Sequence, residues 1–285
     1  MSIEGFFNYA RERYNIFLKK DVVGSPAPWT EDKILQQYRF CNIFREDDIV
    51  TKWIRKNVRE PYADHPKLLG MIVLARWFNK IETLEVIKEN NLFENWNTED
   101  AQKALGGLSP IVSGAYIIKT PDGMNKLTGI CWCLEQILPD AVHLQAHIEV
   151  GETGLADVHR VLMDYPFLGA FMSYEIVTDL RHTFMLNQAP DIMTWANPGP
   201  GAARGLSRLL GYEANHFNRS SKKDYATMMV EMQKLLELSK QDKYWSNEYP
   251  AWEMREVEHT LCEFDKYERA RLGEGRPKQK YRKGV

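Results

Sequence analysis

An all-α fold follows from three observations on this 285-residue chain. Apolar residues recur at helical spacing along most of its length. Ser, Thr or acidic residues stand where helix starts need them, ahead of several of these stretches. Strand-like sequence is confined to one short region, so at most one short β-hairpin is expected.

The elements follow in order. Residues 3–19 carry Phe6, Phe7, Ala10, Tyr14, Phe17 and Leu18 at helical spacing. Residues 23–29, Val-Gly-Ser-Pro-Ala-Pro-Trp, read as a loop by their Gly and Pro content. Thr30, ahead of Glu31 and Asp32, is an N-cap with acidic first-turn residues and opens a helix that runs through residues 38–53. That helix is apolar nearly all round, through Phe40, Cys41, Ile43, Phe44, Ile49, Val50 and Trp53, and so belongs inside the protein. Asn42, Arg45 and Asp48 nevertheless follow one another at i, i+3 spacing as a polar ridge. A buried Arg is costly unless a carboxylate or phosphate meets it. Either Asp48 satisfies Arg45 as an internal strut, or the ridge faces a polar site.

Residues 66–79 and 82–90 predict two further helices. In residues 107–129 the run Ala115-Tyr-Ile-Ile-Lys, the turn Thr-Pro-Asp-Gly and the run Met-Asn-Lys-Leu-Thr fit a hairpin. Helices resume at 130–138, 154–164 and 169–186. Ser221-Lys-Lys-Asp224 is a capping box ahead of Met228, Met229, Met232, Leu235 and Leu236, a methionine stripe that reads as core packing. The last helix spans residues 252–272. One helical domain is expected over residues 1–273, in one or two lobes, followed by a basic tail over 274–285 with Arg276, Lys278, Lys280, Arg282 and Lys283. That tail is either a solvated end or an arm that neutralises phosphates.

Composition bounds the function. Hydrophobic residues make up 44% and charged residues 27%, ordinary globular usage, which excludes wholesale disorder. A formal net charge of -2 means that any nucleic-acid contact must come from a local patch. Cys41, Cys131, Cys133 and Cys262 lack the spacing of a zinc knuckle or thioredoxin motif, so buried free thiols in a reducing compartment are expected. The first residues have no signal-peptide pattern and no apolar run approaches a membrane span, so a cytoplasmic protein without a membrane partner is expected.

Three constellations carry chemical interest. Asn197-Pro-Gly-Pro-Gly-Ala-Ala-Arg-Gly is a turn at a helix start, where backbone N–H groups can hold an anion. The helix dipole disfavours Arg204 in that first turn, which makes sense if an anion lies between it and the amides of Gly199 and Gly201. The plainer reading is a tight turn with Arg204 in solvent, and both stay open. Residues 165–169 form a turn ahead of Tyr174, Glu175 and Asp179, ordinary core or capping groups unless a site recruits them. On the last helix His259, Glu263 and Lys266 share one face, and Glu258, Cys262 and Asp265 its neighbour. A metal on His259 and Glu263 lacks a third ligand in view. General acid–base work by Glu258 or Asp265 competes there with an intrahelical ion-pair face. Hydrolase triads, zincin helices, dinucleotide fingerprints and a phosphate-loop lysine have no candidate.

Taken together and in order, several blocks resemble one family. They are Arg11-Glu-Arg with Lys19-Lys, Pro28-Trp-Thr-Glu-Asp, Arg39-Phe-Cys-Asn-Ile-Phe-Arg-Glu-Asp-Asp, Gly114-Ala-Tyr-Ile, Leu168-Gly-Ala-Phe-Met-Ser-Tyr-Glu, Gly199-Pro-Gly-Ala-Ala-Arg-Gly and Glu258-His-Thr-Leu-Cys-Glu-Phe-Asp-Lys-Tyr. The chain is similar, from about residue 6 to 282, to the α-glutamyl/putrescinyl-thymine pyrophosphorylases, also called the helical domain of 5-hydroxymethyl-deoxyuridine DNA kinases of bacteriophages. Two departures are Cys41, where the family pattern favours Thr, and Glu175, where it favours Gln.

The resemblance implies an all-α helical bundle distantly related to helix-hairpin-helix DNA glycosylases, without their iron–sulfur cluster. It implies a transferase acting on double-stranded DNA that carries 5-(pyrophosphoryloxymethyl)uracil, in which the amine of an amino acid or polyamine displaces pyrophosphate. The base must then be flipped or presented in a deformed duplex. Arg39, Arg45, Arg204 and the Gly199–Gly201 turn are the candidates for the leaving group, with Asn42 and Lys266 beside them. Asp48, Asp179, Glu258 and His259 are the candidates for taking the amine's proton, and Tyr174 or Phe44 for stacking on the base. No cofactor is expected, with Mg2+ open as the companion of pyrophosphate. A DNA glycosylase, or a non-catalytic DNA-binding module beside a hydroxymethyluracil DNA kinase, are the alternatives.

Overall fold

The computed structural model describes residues 2–114 and 116–281. Among these, twelve α-helices occur and no strand beyond a single bridge, so the fold class is all-α as expected. They are α1 (Ile3–Phe17), α2 (Lys33–Gln37), α3 (Ile49–Ile54), α4 (Leu68–Phe78), α5 (Ile81–Glu89), α6 (Thr98–Leu105), α7 (Lys126–Ala146), α8 (Leu155–Leu162), α9 (Ala170–Leu180), α10 (Pro200–Leu209), α11 (Lys222–Ser239) and α12 (Met254–Arg271). No helix among the described residues is long and apolar enough to cross a membrane.

Two compact units divide the chain, one of residues up to Asp48 together with those from Ile192 onward, the other Ile49–Asp191. In the first, α12 is the central helix, packed on α1, α2, α10 and α11. Its Phe264 meets Phe6 of α1 edge-on at 5.5 Å between ring centres, and Phe6 meets Trp252 in the same way at 6.0 Å. The α10–α12 crossing depends on two glycines one turn apart. A Cβ on Gly201 would lie 2.4 Å from Cys262 Sγ, and one on Gly205 only 2.2 Å from the Leu261 carbonyl oxygen. Those residues are Gly because the two backbones touch.

In the second unit every residue of α4 is buried, and it packs on α7 and α9. Such an all-buried helix must still satisfy its polar side chain. Arg76, fully buried, does so through a bidentate pair with Asp179 of α9 and through the hydroxyl of Thr51. Arg59 adds a second guanidinium 3.9 Å from the same carboxylate.

Three expectations are corrected. The largest concerns residues 38–53, which form no continuous helix. Tyr38 and Phe44 are extended, Arg45–Asp47 make one 3-10 turn, and the helix starts only at Ile49. The apolar pattern was a true sign of burial, since Phe40 and Ile43 are in the core. The backbone partners, however, come from side chains. Arg13 donates to the Phe40 carbonyl, the Cys41 N–H donates to Glu263, and the Asn42 amide donates to the Asp47 carbonyl. Such bonds offer the backbone an alternative to the helical ladder.

Within the expectation of at most one short hairpin, none forms among the described residues of 107–129. Ala115 lies outside the described residues, and residues 116–125 run irregularly into α7, whose N-cap is Asn125. That helix continues through Pro139 to Ala146, where the sequence reading stopped at 138. Lastly, Asp32 rather than Thr30 caps the next helix, accepting from the N–H groups of Ile34 and Leu35. In the basic tail, Lys280 bridges antiparallel to Tyr38, and Gln279 and Tyr281 pair with Arg39 and Gln37. Arg282 and Lys283 lie outside the described residues.

Candidate functional site

The candidate residues fall into two groups that follow the two units. Asp179 and Tyr174 sit on α9 of the second unit, and both are buried. Asp179 was a candidate base, and this is a correction. A carboxylate 1% exposed and gripped by Arg76 and Arg59 is an internal counter-ion shut away from an incoming amine. Tyr174 lies inside the unit with His159 edge-on at 6.2 Å, which removes it as an exposed stacking platform. His159 itself is held neutral, its pKa lowered by burial against a hydrogen bond to the Ala170 carbonyl.

The remaining candidates gather in the first unit, around the face of α12 that meets residues 38–48. Arg45 is 8% exposed and pairs with Asp48 at 3.5 Å. The other oxygen of Asp48 accepts from the Asn42 N–H at 3.3 Å. Both contacts are longer than the 2.7–2.9 Å of a tight charged pair. Asp48 keeps 21% of its side chain exposed, twice the share of Arg45. Arg39 is exposed, and its backbone is held by Gln279.

On α12, Glu263 accepts from the Cys41 N–H at 2.9 Å and from Lys266 at 2.6 Å, and Lys266 also lies over the Phe40 ring. Burial would push Glu263 up, yet its pKa is lowered because Lys266, His259 and the Cys41 N–H all favour the carboxylate. Lys266 is raised in turn by Glu263. His259 stands between these charges. Burial first, then Arg255, push its pKa down to about 4, against the pull of Glu263 and Asp48. A neutral imidazole at pH 7 is the result.

Glu258 shows what the Gly199 turn binds. Its carboxylate accepts from the Gly199 N–H at 3.2 Å and from Arg255 at 2.7 Å. Arg204, the second half of the expected anion site, donates to Asp265 at 2.9 Å, a carboxylate it shares with Arg208 and Arg269. The anions foreseen at this helix start are therefore the protein's own, Glu258 and Asp265 of α12. Gly201 serves the close crossing on Cys262 instead. That corrects the reading of Arg204, Gly199 and Gly201 as a leaving-group cradle.

What sequence reasoning missed is Arg255 as a member of the same cluster as His259 and Glu263, and Cys41 as a polar rather than merely apolar one. The signal was present in the i, i+4 spacing of Arg255, His259 and Glu263. The cluster combines guanidinium groups, a partly exposed carboxylate and a neutral imidazole. Such a set can hold a polyanion and accept a proton within one site.

These motifs and this all-helical architecture define a family, and the comparisons agree with the resemblance. The chain belongs to the family described as "5-hmdU DNA kinase, helical domain", which matches residues 1–276. Among curated proteins it is similar to the 5-hmdU DNA kinase of Bacillus phage SP10, 25% identical over 282 residues. That match covers 90% of this chain and 43% of the relative, so the chain spans less than half of the relative's length. No solved structure matches it.

Proposed function

We propose that the chain takes part in thymine hypermodification of phage DNA as a transferase. An amine from an amino acid or polyamine attacks the exocyclic methylene of 5-(pyrophosphoryloxymethyl)uracil in DNA. A C–N bond forms, the C–O bond to pyrophosphate breaks, and the amine's proton passes to a protein base. The observation that carries this reading is the cluster against α12, where Arg45 and Asp48 meet His259 and Glu263, in a chain of the 5-hmdU DNA kinase helical-domain family.

In this reading Arg45 and the exposed Arg39 draw off the charge that grows on the leaving pyrophosphate, and Lys266 adds to the local positive potential. Asp48, the more exposed and more loosely held carboxylate, is the proton acceptor. Glu258 has both oxygens engaged, so it orients the Gly199 turn and Arg255 rather than taking a proton. Base flipping brings the substituted base edge to the cluster.

The test is to incubate the chain with DNA bearing the pyrophosphorylated base and a mixture of amino acids and polyamines, then to digest the DNA and analyse the nucleosides by mass spectrometry. An amine adduct supports the transferase, and free modified base would mean a glycosylase. The relative's name favours a second reading, a DNA-presenting module that works with a hydroxymethyluracil kinase. Unchanged DNA in this assay, together with stimulation of such a kinase, would select it.

A further inference from the structure

His259 lacks the third ligand on its own helix that a metal site would need, yet the fold supplies two from elsewhere. One ligand atom each from Cys41, Asp48 and His259 lie within 4.8 Å of one another. Cys41 and Asp48 come from the segment that the sequence reads as helix, and its fold into an irregular stretch and a 3-10 turn is what brings them to α12. A second observation is independent of that spacing. The Nε2 atom of His259 is buried and has no hydrogen-bond partner among the described residues. Leaving such an atom unmatched inside a protein is costly, and its neighbours in the polar cluster do not reach it.

We propose that Cys41, Asp48 and His259 form a binding site for a divalent transition metal of the zinc class. Thiolate and imidazole select zinc, cobalt or iron over magnesium and calcium, which take oxygen donors. Ideal bond lengths in a tetrahedral zinc site put neighbouring ligand atoms roughly 3.3–3.6 Å apart, so the triad contracts by at most about 1 Å on binding. Rotation of the Asp48 and Cys41 side chains, both partly exposed, supplies that movement. Three protein ligands leave the fourth position open, the pattern of a reactive rather than a purely structural site. Metal binding breaks the Cys41 S–H bond, the electron pair goes to the metal and the proton to solvent. Arg45, Arg255 and Lys266 oppose a cation here, and Glu258 and Glu263 on adjoining faces of α12 offset them.

The test of this site is independent of the transfer reaction proposed above, although the two share Asp48 and His259. Asp48 serves an ion or an incoming amine but not both at once, and the metal test needs neither DNA nor amine. The full chain, stripped with a chelator, is titrated with Co2+ and followed by absorption. The expected result is one equivalent of Co2+ with a thiolate-to-cobalt charge-transfer band and the intense visible bands of tetrahedral coordination. Zn2+ should bleach both, and Mg2+ should leave them intact. Cys41→Ser should abolish the charge-transfer band with unchanged circular dichroism, and Asp48→Asn should weaken Co2+ binding by at least about tenfold. The proposal is overturned if the unaltered chain shows no charge-transfer band, or if the band persists in Cys41→Ser and so belongs to another thiol.

Discussion

Replacing Gly205 by Ala tests what holds the candidate site in place. The added Cβ would lie 2.2 Å from the Leu261 carbonyl oxygen, 2.9 Å from its carbon and 3.4 Å from its Cα. These are backbone atoms of α12, so no side-chain rotation relieves the clash, and the helices must part by about 1 Å. Overpacking of this kind costs about 1–3 kcal/mol, and Ala returns about 1 kcal/mol of helix propensity. Because the obstacle is backbone, the upper part of the range applies, and a net loss of roughly 1–2 kcal/mol is expected. Gly107→Ala, at an exposed position with nothing within 4 Å, is the control and should stay within about 0.5 kcal/mol. Urea unfolding followed by tryptophan fluorescence reads both, as a shift in midpoint at constant slope. The displaced α12 carries Glu258 and Cys262 with it, so the Glu258–Gly199 bond and any DNA-directed activity should weaken together. If Gly205→Ala matches its control, the α10–α12 contact does not position the site, and the reasoning fails.

Four further predictions come from the charged groups. Asp265→Asn removes a fully buried carboxylate from Arg204, Arg208 and Arg269 and should cost roughly 3 kcal/mol, the low end for a broken buried pair because Arg204 and Arg269 reach solvent; a loss under about 1 kcal/mol in urea titration would mean a solvated network. His259, with its pKa lowered to about 4, refuses a proton that the unfolded chain accepts below its ordinary 6.5. Stability should therefore fall as pH drops through that window, and His259→Gln should flatten the fall. Glu256 acts in the opposite sense. Burial raises its pKa to about 7, so it contributes stability below its ordinary 4.5 that is lost as pH rises towards 7, and Glu256→Gln should remove that slope while keeping an acceptor for the Glu253 N–H. Unfolding midpoints across pH that track the unaltered protein in both variants would show that neither group titrates there. Arg45→Ala should abolish amine transfer while unfolding cooperatively, whereas loss of the folded state instead would leave Arg45 a strut for Asp48.

Fold class was legible because burial and helix starts are local signals. The aromatic spacing of α1, the capping Ser221 of α11 and the largely apolar run of α4 each stand on their own residues. Residues 38–48 were not, because their backbone is satisfied by Arg13 and Glu263, partners 27 and 222 positions distant in the chain. Periodicity there reported that Phe40 and Ile43 are inside, not how the chain gets there. Much the same holds for the candidate site. Arg45 with Asp48 and the polar face of α12 were visible as spacing, whereas their convergence on Cys41 and His259 required the fold. The glycines before Arg204 looked like an anion loop, since a helix-start turn and a close helix crossing ask for the same residue.

Counting pyrophosphate against amine tests the central claim most directly. DNA carrying 5-(pyrophosphoryloxymethyl)uracil is incubated with the chain and a radiolabelled amine, and both released pyrophosphate and DNA-bound label are quantified. The account predicts one pyrophosphate released for each amine incorporated, with both falling together in Asp48→Asn. Pyrophosphate released without incorporated amine, or no release at all, would contradict it.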